Sequence, residues 1–128
     1  MSDLTVQVET RYLADESGDQ RYVFSYTITI ENHGASAAQL LNRHWIITDA
    51  DGEVQEVRGE GVIGEQPVIA PGGTFSYTSG ATLPTPVGCM EGSYFMVVRE
   101  PVDVDPAQLP TFEVPIPAFS LHTPTALH

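Results

Sequence analysis

An all-β fold, a two-sheet antiparallel sandwich of seven or more strands, is predicted by three features of the sequence. Apolar and polar residues alternate strictly over the first two segments, turn-forming clusters recur about every ten residues, and no run commits to a helix. Leu4, Val6, Val8 and Tyr12 alternate with Gln7, Glu9 and Arg11; Tyr22, Phe24, Tyr26, Ile28 and Ile30 alternate with Ser25, Thr27, Thr29 and Glu31. A period of two over that length buries one face of a strand and wets the other. The polar link Asp15 to Asp19 makes the two segments an antiparallel pair.

The next segment mixes two periods. Ala37, Leu40, Leu41, His44 and Trp45 fall at helical spacing, whereas Trp45-Ile46-Ile47-Thr48 is rich in strand formers. Asp49-Ala50-Asp51-Gly52-Glu53 decides for a strand over the segment Ala37–Thr48, because its Asp-Gly pair suits a tight hairpin with Val54–Val57 as the return strand. Further strands are expected at Gln66–Ala70, Thr74–Ser79, Ser93–Arg99 and Thr111–Phe119, separated by turns or loops at Pro71–Gly73, Pro84–Gly88 and Pro101–Pro110. Pro115 and Pro117 allow pairing on one side only, which predicts an edge strand. Such a series of short strands predicts a sandwich of immunoglobulin or fibronectin type III kind, with Trp45 in the core and Tyr94 at a strand corner.

With 128 residues, 41% hydrophobic and 17% charged, the chain makes one globular domain over its whole length. Seventeen acidic residues face five basic ones, for a net charge of −12, and all five are arginine. That field repels a phosphate backbone and an anionic membrane, so neither nucleic acid nor membrane is an expected partner. A protein with a basic patch, or a divalent cation, fits it. Cys89 is the sole cysteine and is expected in or beside a loop after Pro86; it allows no internal disulfide and no multi-thiolate zinc site. No signal-like or membrane-length apolar run is present, and a cytoplasmic location is expected.

Gly59, Gly61 and Gly64 have the GxGxxG spacing of a phosphate-cradling loop, with Arg58 as the neighbouring cation in sequence. A dinucleotide site needs a helix after the third glycine, to pack against and to hold the anion at its N-terminus. Pro67 and Pro71 forbid one here, and Glu56, Glu60 and Glu65 surround Arg58. Two readings remain: a loop whose amides contact a phosphate or pyrophosphate, or a crossover between sheets whose glycines meet backbone demands. Asp49, Asp51, Glu53 and Glu60 stand at positions one, three, five and twelve of an EF-hand loop, but position six is Val54 where glycine is required. Asp49, Asp51 and Glu53 are left as a weak cation site. His33, His44, His122 and His128 show no metal spacing, and no cofactor and no catalytic constellation are expected.

Several spaced motifs carry a family resemblance. Leu41–Asp49, Gly59–Pro67, Pro71-Gly72 with Phe75–Gly80, Met90–Tyr94, Phe112–Phe119 and the terminal Leu127-His128 together resemble the ApaG family, also called CorD, over nearly the whole chain. The resemblance implies a fibronectin type III sandwich. It also implies a domain attached elsewhere to an F-box protein and to a polymerase-delta-interacting protein, where it is taken to bind proteins. Bacterial members are associated with cobalt resistance and magnesium efflux and are encoded near a diadenosine tetraphosphatase; no catalytic residues carry over. The expected function is a non-enzymatic module that binds a protein through Gly59–Gln66, the hairpin tip Asp49–Glu53 or an edge strand; the alternative is a small-ligand sensor for a divalent cation or a phosphate anion.

Overall fold

The computed structural model describes residues 3–99 and 105–124. Among the described residues eight strands form: β1 (Leu4–Tyr12), β2 (Tyr22–Asn32), β3 (Ala38–Asp49), β4 (Val54–Glu60), β5 (Val68–Ile69), β6 (Thr74–Leu83), β7 (Val87–Val98) and β8 (Phe112–His122). They make two antiparallel sheets, one ordered β1-β2-β6 and the other β4-β3-β7-β8, with β5 also on β3. The two-layer all-β architecture is the predicted one. Even-numbered Phe24, Tyr26, Ile28 and Ile30 are buried, as the alternation requires, and they meet Leu40, Trp45, Tyr94, Met96 and Ile116 from the facing sheet. Trp45 sits at the centre of the core with edge-on contacts to Tyr26, Tyr94 and Phe119. The predicted β1–β2 and β3–β4 pairs form in antiparallel register, and β8, with its prolines, lies at an edge.

Strand β3 explains its own mixed periodicity. It runs from Ala38 to Asp49, as the hairpin signal predicts, and pairs Leu40 with Met96 but Asn42 with Phe95, so Leu41 is an extra residue opposite β7. Such a bulge shifts the inward-facing parity by one. Ala38 and Leu40 face the core before it, Trp45 after it. Apolar residues spaced across that shift imitate a helical period.

Other expectations change for local reasons. The expected strand at Gln66–Ala70 shrinks to Val68–Ile69, because Pro67 offers no N–H and Ala70–Gly73 turns back with Gly73 N donating to Ala70 O at 2.8 Å. β7 starts at Val87, so the loop ends at Pro86 and Cys89 lies inside a strand, exposed, not in or beside a loop. Gly88 permits this: a methyl group there would come within 2.9 Å of Thr48 O. Tyr94 is not at a corner but mid-strand and fully buried, its hydroxyl 2.5 Å from that of Tyr77 on the other sheet. Of the expected loop Pro101–Pro110, residues 105–110 are described and hold a 3-10 turn at Pro106–Gln108. Pro101, Leu127 and His128 fall outside the described residues.

Candidate functional site

The glycine loop does not cross between sheets. β4 and β5 both pair with one edge of β3, at Asn42–Thr48 and at Ala38-Gln39, so residues 61–67 are an excursion from a single interrupted edge. The β3 bulge pins both ends of it. Leu41 O accepts from the Gly61 amide at 2.7 Å and from Gln66 Nε2 at 3.0 Å, and Leu40 N donates to Pro67 O at 3.0 Å. At the tip Val62 and Glu65 exchange two backbone hydrogen bonds of 2.8 and 2.9 Å, with Ile63 and Gly64 between them at φ +45° and +79°. Positive φ at both central residues is the type I′ pattern, which favours Asn-Gly. Val62 is buried and anchors the turn; Ile63, β-branched and 54% exposed, holds a conformation that L-residues avoid.

The cation of this loop is Arg43, which the sequence reading missed. In the β3–β4 register Arg43 faces Gly59 so closely that a methyl on Gly59 would lie 2.9 Å from its Cζ. Arg43 Nη1 donates to Glu60 O at 3.0 Å and Gly61 O at 2.8 Å. Arg58, the sequence neighbour, turns away to Glu56, with Nη2–Oε2 at 3.3 Å and a side chain 72% exposed. A signal existed: with Asp49 and Glu53 opposite each other at the turn, counting back along one strand and forward along the other pairs Arg43 with Gly59. Gly61 could carry no side chain, since its Cβ would fall 2.1 Å from Glu65 O, whereas Gly64 faces open space.

Beneath the tip a cavity of about 330 Å³ opens between the sheets, lined among others by Arg43, Trp45, Val62, Ile63, Tyr77 and Ser79. Burial pushes the Tyr77 hydroxyl well above the ordinary tyrosine range, against the smaller opposing effects of its Tyr94 hydrogen bond and of Arg43. Burial likewise raises Tyr94, and neighbouring Tyr77 adds to it. The pair stays neutral and bridges the two sheets below the loop.

Residues 13–98, which carry β2 to β7 and the whole loop, match the model of the ApaG domain family. The chain belongs to the ApaG domain family. It is 54% identical over 127 residues to Protein ApaG of Thiobacillus denitrificans, covering 98% of this chain and 94% of that one. Protein ApaG of Bordetella pertussis is 51% identical over 128 residues, with 98% and 92% covered. A crystal structure from Bordetella pertussis, described as an ApaA protein, superposes with a TM-score of 0.87 at 50% identity over 97% of this chain and 96% of that one. The sandwich and its loop are therefore those of an ApaG domain.

The other candidate residues of this ApaG domain are separated by the fold. Asp49 Oδ1 accepts from the amides of Asp51 and Glu53 at 2.9 and 3.0 Å, tying it into the hairpin turn that Gly52 completes at φ +84°. Among the described residues no three of His, Cys, Asp and Glu converge as a metal-binding group, so Asp49, Asp51 and Glu53 are not gathered. His44 Nε2 reaches Glu56 Oε2 at 3.3 Å, and hydrogen bonds from His44 and then Arg58 hold the Glu56 carboxyl below the usual glutamate range. Ser93 donates to Glu113, not to His44, its cross-strand neighbour. The two pairs do not make a nucleophile and a base. No helix among the described residues is long and apolar enough to cross a membrane.

Proposed function

We propose that this ApaG domain is a non-enzymatic binding module that docks a protein partner at the tip of its glycine loop. The observation that carries this reading is Ile63. A large apolar side chain stands half in water at positive φ, in a turn that Asn-Gly would form without strain, while Val62, Leu41 and Arg43 hold the loop in place. Backbone strain of this kind is retained where function requires it. The carboxylates of Glu53, Glu60 and Glu65 steer a basic partner towards it.

Affinity capture from a lysate of the source cell tests this, with the wild-type domain and Ile63→Asn side by side. A partner held by the wild type and lost by a variant of unchanged thermal stability or better is the expected result. A partner held equally by both sinks the loop tip as the docking surface.

The second reading is a small-ligand sensor that binds a divalent cation, or a phosphate or pyrophosphate anion, at the same loop. The Arg43 guanidinium under Gly59 supports it. Against it, the Gly61 amide is committed to Leu41 O, and Arg43 Nη1 to two carbonyls. Titration of the labelled domain with magnesium, cobalt, pyrophosphate and ATP in turn separates the readings: saturable amide shifts confined to 59–66 favour the sensor.

A further inference from the structure

A sandwich of two open sheets has four edges, and each is a template for pairing unless something blunts it. Among the described residues three of the four are blunted. β1 carries Glu9 and Arg11, β4 carries Glu56, Arg58 and Glu60, and β8 carries Glu113, Pro115 and Pro117. β1 also packs alongside β8, which closes that flank of the sandwich. β6 differs. Its ten residues, Thr74–Leu83, contain neither a charge nor a proline, in a chain with a net charge of −12. It pairs with β2 along its full length, and among the described residues no strand pairs with its other edge.

The flank between β6 and β4 is also where the molecule is open. The cavity of about 330 Å³ under the glycine loop takes Tyr77 and Ser79 from β6, and a second cavity of about 300 Å³ takes Thr82 and Leu83. Each has an exposed apolar residue on its far lip: Ile63, 54% exposed, at the first and Val54, 59% exposed, at the second. Along a strand, residues four apart point the same way and stand about 13 Å apart, so alternate side chains of one added strand can enter both cavities.

We infer that β6 receives an extended segment of a partner protein by strand addition, with an uncharged, β-branched centre and basic flanks. This rests on the docking reading above and deepens it. Backbone hydrogen bonds to the β6 edge supply affinity, and the side chains entering the two cavities beside Ile63 and Val54 supply selectivity. The outward side chains continue an existing hydroxyl ladder, in which Thr27 meets Thr78 at 2.8 Å and Thr29 meets Ser76 at 2.9 Å. Basic flanks follow from Asp49, Glu53 and Glu60, which rim the two cavities. A second copy of this chain is disfavoured by the same charge, since two bodies of −12 would meet.

The probe is a synthetic peptide of alternating valine and threonine with paired arginines at each end, titrated into the isotope-labelled domain. Saturable shifts and slowed amide exchange along 74–83 are expected. N-methylation of every second peptide amide removes edge hydrogen bonds while leaving side chains and charge in place, and it should weaken binding about tenfold or more. Ser79→Lys, an inward charge on the edge, should do the same. Equal binding of the methylated peptide, or no saturable shift at all, overturns the inference even if Ser79→Lys fails to fold. Shifts confined to 59–66 overturn the edge and leave the loop reading intact. Protection of β6 in a dimer without peptide hands the edge to a second copy. Conversely, a captured partner indifferent to Ile63→Asn, together with a peptide that protects β6, removes the loop-tip reading and not this one.

Discussion

In the proposed docking surface Ile63 sets stability against binding. Left-handed backbone costs an L-residue about 1–2 kcal/mol, and the cost is greatest for β-branched side chains. Ile63→Asn creates the Asn-Gly pair that a type I′ turn prefers, so the domain should gain about 1 kcal/mol in urea unfolding while losing the proposed partner. The Tyr77–Tyr94 pair works in the opposite sense. Both hydroxyls have folded pKa values raised above the unfolded one, chiefly by burial. Their contribution to stability is therefore fully present below about pH 10, the unfolded tyrosine value, and is lost as pH rises above it. An ultraviolet titration should show Tyr77 and Tyr94 ionising only as the domain unfolds. Tyr77→Phe strands the Tyr94 hydroxyl in the core and should cost about 1–3 kcal/mol.

Among the elements, β3 governs both the site and its legibility. The bulge at Leu41 supplies a carbonyl that ties down Gly61 and Gln66, and its parity shift puts Arg43 on the inner face beneath Gly59. The same shift blurred the strand in the sequence, because apolar positions 38, 40, 45 and 47 obey no single period. The β3–β4 hairpin was readable, since Asp49 and Gly52 are local turn signals; the partnership of Arg43 with Gly59 is a consequence of register many residues away. β3 and β7 also approach closely at Gly92, where an added methyl would lie 2.0 Å from His44 O. Gly92→Ala must push apart the two central strands of the larger sheet, and a loss of about 3 kcal/mol in chemical denaturation is expected.

For the whole molecule, a charge of −12 on 128 residues acts as self-repulsion and as a long-range guide. Raising ionic strength from about 0.01 M to about 0.15 M shortens the screening length from about 30 Å to about 8 Å. The thermal midpoint should rise over that range, and the association rate of the arginine-flanked peptide should fall; a salt-independent rate would remove electrostatic steering from the account. What the sequence by itself determined is what depends on neighbours along the chain: the alternation of β1 and β2, the Asp49–Glu53 turn, the prolines of an edge, and spaced motifs that resembled ApaG before the family match established it. Only the tertiary structure decided which arginine serves the loop, that Ile63 is strained and exposed, and which of the four edges is left unpaired and uncharged among the described residues. Each of these depends on strand register and sheet order, which are set when faces distant in sequence are buried against one another.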